Sequence, residues 1–305
     1  MEKRVRMIQM DPAIAGPLFM LSAAMLFTML NVLVKLLRPE YTVWHIGFYR
    51  FFGSIVLLLL IFGRHRNIFL GVNTKLLIIR GLTGSVAFIS LITAVRILPV
   101  STALVIFYAF PVFAAVFAFL IYGERIGKLE LACVFVVILG IAVLFNFRLV
   151  GGIFGQAMAL LAAAFAGITV TLIRSLREKN GPVVIYLYFC VMGTLVTLPK
   201  FATHPLFPAS PLEWVMVLGI VLTSISAQLS MNQGFFYCRG WEGGVFMSSE
   251  VIFTALVGIV FLGDPAGTRF WIGGSLIFAS GVALNRLQSI PGGAVPRDPT
   301  GANTT

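Results

Sequence analysis

Acidic side chains are scarce in this sequence. Eleven Asp and Glu occur among 305 residues, and charged residues of both signs make up 11%. A soluble domain carries about 25% charged residues, so a water-facing surface over most of the chain is excluded. Cysteine is rarer still. Cys133, Cys190 and Cys238 stand in or beside apolar runs without CxxC spacing. They read as small buried hydrophobes, not as disulfides or thiolate ligands. His45, His65 and His204 lie far apart in the chain, at loops or span edges, with no HExxH or other ligand spacing. No metal and no metal-dependent catalysis is expected. Gly151-x-x-x-Gly155 is followed by no Walker sequence, so no nucleotide or other cofactor is expected.

Apolar sequence fills the space that charge leaves. Hydrophobic residues reach 59%, and the charges fall mostly between apolar runs. A helix needs about 20 apolar residues to cross a bilayer. The chain divides into ten such stretches: 13–37, 44–63, 75–95, 100–121, 128–146, 152–174, 182–199, 212–234, 243–262 and 269–287. The expected fold is an all-α integral membrane protein of ten transmembrane helices. Loops are mostly short, so consecutive helices are antiparallel neighbours. The longest connection, 199–211, is broken by Pro205 and Pro208 and belongs in water.

The net charge of +11 would raise nucleic acid as a partner in a soluble protein. Here the basic residues sit at span ends, where they report orientation and anionic headgroups. With the N-terminus inside, fifteen Lys and Arg fall on the inner side and six on the outer, with Arg50 inside a span. Lys75 and Arg80 count among the inner charges. The bias puts both termini in the cytoplasm, and the expected location is the cell (inner) membrane. Residues 1–12 form a basic cytoplasmic segment, and the apolar run after it is too long for a signal peptide. Residues 289–305, rich in Pro, Gly and Thr, form a disordered cytoplasmic tail.

A shift of 140 residues lays 113–127, FAAVFAFLIYGERIG, over 253–267, FTALVGIVFLGDPAG. Gly123 meets Gly263, Glu124 meets Asp264 and Gly127 meets Gly267. Gly ends a helix, and an acid suits the N-terminus of the next. The units are 13–146 and 152–287. Five spans per unit is an odd number, so the second unit enters the membrane from the opposite side. Inverted repeats of this kind place substrate sites near the midplane, between the halves.

The stretch 80–127, RGLTGSVAFISLITAVRILPVSTALVIFYAFPVFAAVFAFLIYGERIG, and FYRFF at 48–52 resemble the EamA domain of the drug/metabolite transporter superfamily. Ala94, Leu98-Pro99, Ser101, Ala103, Pro111 and Glu124-Arg125 carry the likeness. It covers essentially the whole chain as two tandem domains, and the second copy departs from the pattern. Val251 stands where the repeat would place a second proline, and Asp264 replaces the usual glutamate. The resemblance implies two five-helix repeats around a central cavity and alternating access for small organic solutes.

A few polar residues inside spans are costly and therefore informative. Arg50 lies about 9 Å into the second span at 1.5 Å per residue. It suits either a substrate carboxylate or phosphate, or a structural brace on backbone carbonyls. Glu250 is about 10 Å from the inner end of its span. It is a candidate for binding an amine and for carrying protons as the coupling ion, or else a paired structural acid. With a ~30 Å core the two differ by about 11 Å in depth, so no direct ion pair is expected. Pro111 is a candidate hinge that frees the Phe107 carbonyl, and Tyr108 shares its face. Asn31, Asn232 and Gln233 are further substrate candidates. Ser224, Ser226 and Gln228 are polar as well, and such groups often only join helices. Ala159, Ala163 and Gly167 recur every four residues and read as close helix packing.

The leading expectation is a secondary transporter for a small polar or amphipathic metabolite, such as an amino acid, working by export or exchange. Its partners would be that solute and the lipid bilayer, and a homodimer is compatible with the sequence. An integral-membrane enzyme would show clustered His, Asp or Ser near one interface. A channel would show charged rings or a filter loop. Neither pattern is present, and a non-transporting scaffold is the remaining alternative.

Overall fold

In a computed structural model, residues 11–63, 69–98, 100–124, 126–144, 151–262 and 267–288 are described. Several features read from sequence lie outside them: the basic residues before Asp11, Arg64, His65, Arg66, Pro99, Arg125, Gly263, Asp264 and the tail from Ser289. The side chain of Ser101 is also outside.

The described residues form helices and no strands. The first half contains α1 (Pro12–Leu36), α2 (Val43–Phe62), α3 (Thr74–Ile97), α4 (Val100–Phe107), α5 (Phe110–Tyr122) and α6 (Lys128–Leu144). The second contains α7 (Ile153–Arg177), α8 (Pro182–Thr203), α9 (Pro211–Tyr237), α10 (Gly240–Met247), α11 (Ser249–Leu262) and α12 (Thr268–Gln288). Nine stretches of helix among the described residues are long and apolar enough to cross a bilayer, with α4–α5 and α10–α11 each counted as one. Within the described residues α6 has 17 residues, at the short limit of about 17 for a span.

Local chemistry sets many helix ends. Pro182 and Pro211 open α8 and α9, where a missing N–H costs nothing. The Ser210 side chain accepts from the Glu213 N–H and caps α9. Gly123 closes α5 in the left-handed conformation at φ 68°, as the sequence pattern requires. Glu124 does not go on to cap α6. It pairs with Arg174 on α7, and Glu130 accepts from the Gly127 N–H at 2.7 Å instead. Helix α8 runs through Pro199 to Thr203, which shortens the connection expected at 199–211.

Both halves meet through small residues. The main packing pairs are α1 with α9, α3 with α7, α2 with α8, and α6 with α12. Ala159 and Ala163 on α7 are fully buried. A Cβ on Gly167 would stand 2.8 Å from the Ala114 backbone N on α5, so this stripe does bring helices close. Between α6 and α12, a Cβ on Gly140 would stand 2.9 Å from the Gly273 carbonyl. Cys133, Cys190 and Cys238 are buried free thiols.

Candidate functional site

Two helices break inside the bundle. Tyr108 and Ala109 separate α4 from α5, and Ser248 separates α10 from α11. Pro111 explains the first break, since it cannot donate to the Phe107 carbonyl. Ser248 makes the second without a proline, with its Oγ donating to the Gly244 carbonyl at 3.0 Å. Serine side chains that bond back in this way loosen a helix. Tyr108 and Ser248 are 140 positions apart in the sequence, the offset read from the repeat.

A cavity of about 190 Å³ lies beside both breaks. Residues from both halves line it. Its polar members are Asn31 on α1, Arg50 on α2, Arg80 on α3, Tyr108, Thr169 on α7, Gln228 on α9 and Glu250 on α11. Phe27, Phe88, Phe107, Phe110, Phe189 and Phe235 supply aromatic wall.

The acidic corner is built from α1 and α11. Asn31 Nδ2 donates to Glu250 Oε1 at 2.8 Å. Thr28 Oγ1 donates to the Glu250 carbonyl at 3.3 Å and lies 3.4 Å from Thr254 Oγ1. Tyr108 interacts with the same carboxylate from the α4–α5 break. Because α10 starts at Gly240, Glu250 lies ten residues beyond the start of its span, about 15 Å deep. That is deeper than the sequence estimate and brings it nearer the level of Arg50. Even so, no carboxylate oxygen lies within 4.0 Å of Arg50 among the described residues.

The basic side is built from α2, α3, α8 and α9. Arg50 is 5% exposed, and its Nε donates to Ser224 Oγ at 2.7 Å. Ser224 Oγ in turn lies 3.0 Å from the Tyr186 hydroxyl, which lies 2.9 Å from Ser54 Oγ. The guanidinium sits 4.9 Å from the Phe88 ring centre. Arg80 is 1% exposed, so it is a side chain of the bundle interior and not the inner-end charge that the sequence count assumed. Its NH2 donates to Gln228 Oε1 at 3.3 Å, and its guanidinium lies 4.4 Å from the Phe189 ring centre. The signal was available: Arg80 lies six residues inside α3.

Asn232 and Gln233 do not line this cavity. The Asn232 carbonyl accepts from Arg177 Nε at 3.0 Å, and Gln233 Oε1 accepts from Arg177 NH2 at 2.7 Å. The Asn232 amide donates to the Pro182 carbonyl at 3.2 Å. Arg50, Tyr108, Asn31 and Glu250 are brought together, with Pro111 beside the break.

Each end of the bundle carries its own polar ties. At one end Arg38 Nε lies 2.6 Å from Glu213 Oε1, and the Tyr41 hydroxyl donates to Glu213 Oε2 at 3.1 Å. Burial, followed by its bond to Glu213, raises the Tyr41 pKa above the usual phenol value, so it remains a donor. His45 and His204, distant in sequence, meet here, with His45 Nε2 lying 2.6 Å from the His204 carbonyl. At the other end are Glu124–Arg174 and Arg239, whose NH1 lies 3.5 Å from Glu130 Oε1.

Apolar helices of spanning length around a buried cavity that is basic on one side and acidic on the other define a polytopic membrane protein built to hold a small solute. The sequence profile of the EamA-like transporter family matches residues 14–146 and again 153–286. The chain belongs to that family, and is therefore an integral membrane transporter and not an enzyme. It is similar to the pseudopaline exporter CntI of Pseudomonas aeruginosa strains UCBPP-PA14 and PAO1. Identity is 26% over 277 residues, covering 90% of this chain and 97% of the relative. The putative permease-like protein YdzE of Bacillus subtilis strain 168 is 41% identical over 69 residues, covering 23% of this chain and 86% of its own. One solved crystal structure shares the fold, with a TM-score of 0.71 at 16% identity, covering 90% of this chain and 99% of that one.

Proposed function

We propose that the protein is a secondary active transporter. It moves a small polar or amphipathic metabolite, an amino acid or related compound, across the inner membrane by alternating access. Export or exchange is the direction, in line with the exporter among its relatives. The observation that carries the reading is Glu250 in a cavity shared by both halves, bonded by Asn31 and facing the Arg50 side. Among the described residues no cation lies within 4.0 Å of this carboxylate, which a neutral amide holds. The carboxylate needs a proton or a cationic group of the solute. Proton and amine then compete for one carboxylate, which is the condition for proton-coupled exchange. The cavity volume is below the ~300 Å³ typical of drug-sized ligands, which favours a small cargo.

The architecture proposed with this function has ten spans, α6 being the fifth, in two inverted repeats, 13–146 and 152–287, with both termini cytoplasmic. The packing pairs support it. Exchanging the two halves turns α1–α9 into α7–α3 and returns α2–α8 and α6–α12 to themselves. The equivalent breaks at Tyr108 and Ser248 support it too.

Glu250→Gln tests the coupling. The amide keeps an oxygen for Asn31 but cannot exchange a proton. Exchange of labelled amino acids by wild-type proteoliposomes is expected to change between pH 6 and pH 8, and exchange by the variant to be flat. A variant that keeps the wild-type pH dependence sinks the role of Glu250.

A further inference from the structure

We propose that Arg50 and Arg80 form a two-guanidinium clamp that selects solutes bearing a carboxylate or a similar planar oxyanion. The proposal rests on the transport reading of this cavity and names the chemistry of the cargo's anionic end. Both arginines are held by neutral groups. Arg50 uses its Nε for Ser224, and Arg80 uses NH2 for Gln228. Arg80 Nε and NH1 are buried without a hydrogen-bond partner, and Arg80 lines the cavity. Neither arginine has a carboxylate within 4.0 Å among the described residues.

Arg177 shows what a purely structural buried arginine looks like in this protein. All three of its guanidinium nitrogens donate: to the Asn232 carbonyl, the Asn180 carbonyl and Gln233. Arg80 instead leaves two buried donors unpaired, and it lines one cavity with Arg50, close enough for the two charges to repel. Two buried like charges with no carboxylate in contact favour an anionic group between them. Guanidinium donors match a planar oxyanion in geometry as well as charge. Phe88 and Phe189 sit against the two guanidinium groups, and all four side chains line the cavity. Opposite them, Glu250 suits a cationic group. The arrangement therefore fits an amphoteric solute whose anionic end lies at α2–α3 and whose amine lies at α11.

The test needs no known cargo. Leu91 lines the cavity on α3 and is changed to Cys in a background with Cys133, Cys190 and Cys238 replaced by Ala. Proteoliposomes are then treated with the anionic sulfonatoethyl or the cationic trimethylammonium-ethyl methanethiosulfonate. Rates are normalised to those with a free small thiol. The anionic reagent is expected to be favoured by ~10-fold. Arg80→Gln and Arg50→Gln are expected to reduce that preference, and Arg80→Lys to keep it. Gel filtration confirms that each variant remains folded. Preference for the cation in the parent protein overturns the clamp while leaving the transport reading intact. An anion preference unchanged in both Gln variants does the same. Reaction with neither reagent means that water does not reach the cavity, which overturns the transport reading and the clamp with it.

Discussion

Ser224 accepts a hydrogen bond from Arg50 Nε, and that bond can be removed. Ser224 is fully buried between Arg50 Nε and the Tyr186 hydroxyl. Ser224→Ala removes the acceptor of a buried charged donor, at a cost of ~1–3 kcal/mol. Purified protein in detergent should show a lower midpoint of thermal unfolding, and an unchanged midpoint would mean that Arg50 finds its partner elsewhere. Residues of this kind differ in how readable they are from sequence. Arg50 and Glu250 stood out because each interrupts an apolar run. Arg80 lies within the expected span 75–95 but near its charged end, where an arginine reads as an interfacial charge and not as a cavity side chain. Asn31 and Gln233 looked alike, as amides in spans, and only the helix face separates them. Gln228, Met231 and Phe235 line the cavity, whereas Gln233 is turned about 140° from Gln228 at 100° per residue.

At the scale of the element, the two breaks are the parts that set the cavity's shape. Pro111 leaves the Phe107 carbonyl without its helical donor. Pro111→Ala supplies that N–H and should favour a continuous helix from α4 into α5. The expected result is slower exchange in proteoliposomes, with stronger hydrogen-exchange protection near residues 108–112. Unchanged turnover would remove Pro111 as a hinge. The proline made the first break visible in the sequence. The second was not visible, because Val251 occupies the matching position and the break comes from a serine that reads as an ordinary polar residue. Helix positions were the most legible feature, since apolar runs of spanning length have few alternatives to helix in lipid. The start of α10 at Gly240 was misjudged by three residues, enough to move Glu250 by about one helical turn.

Across the whole molecule, polar ties hold both ends of the bundle at once. Arg38–Glu213 joins the end of α1 to the start of α9, and Glu124–Arg174 joins the end of α5 to the end of α7. In an alternating-access carrier each tie opposes opening on its own side. Both pairs are partly exposed, so each biases a two-state population only modestly. Glu213→Gln and Glu124→Gln should therefore shift side-specific labelling of Leu91→Cys in opposite directions. Shifts of the same sign would show that the ties only add stability. The seam between α6 and α12 bears on the same motion. Backbone approaches backbone there at Gly140 and Gly273, with Leu144, Leu276 and Ile277 packed around the two glycines. The glycines themselves set no side chain between the two helices, so a small shift there has few rotamers to reset. The glycine seam is thus the natural bearing of the molecule, and a single added methyl group at either glycine would act as a brake on both halves together.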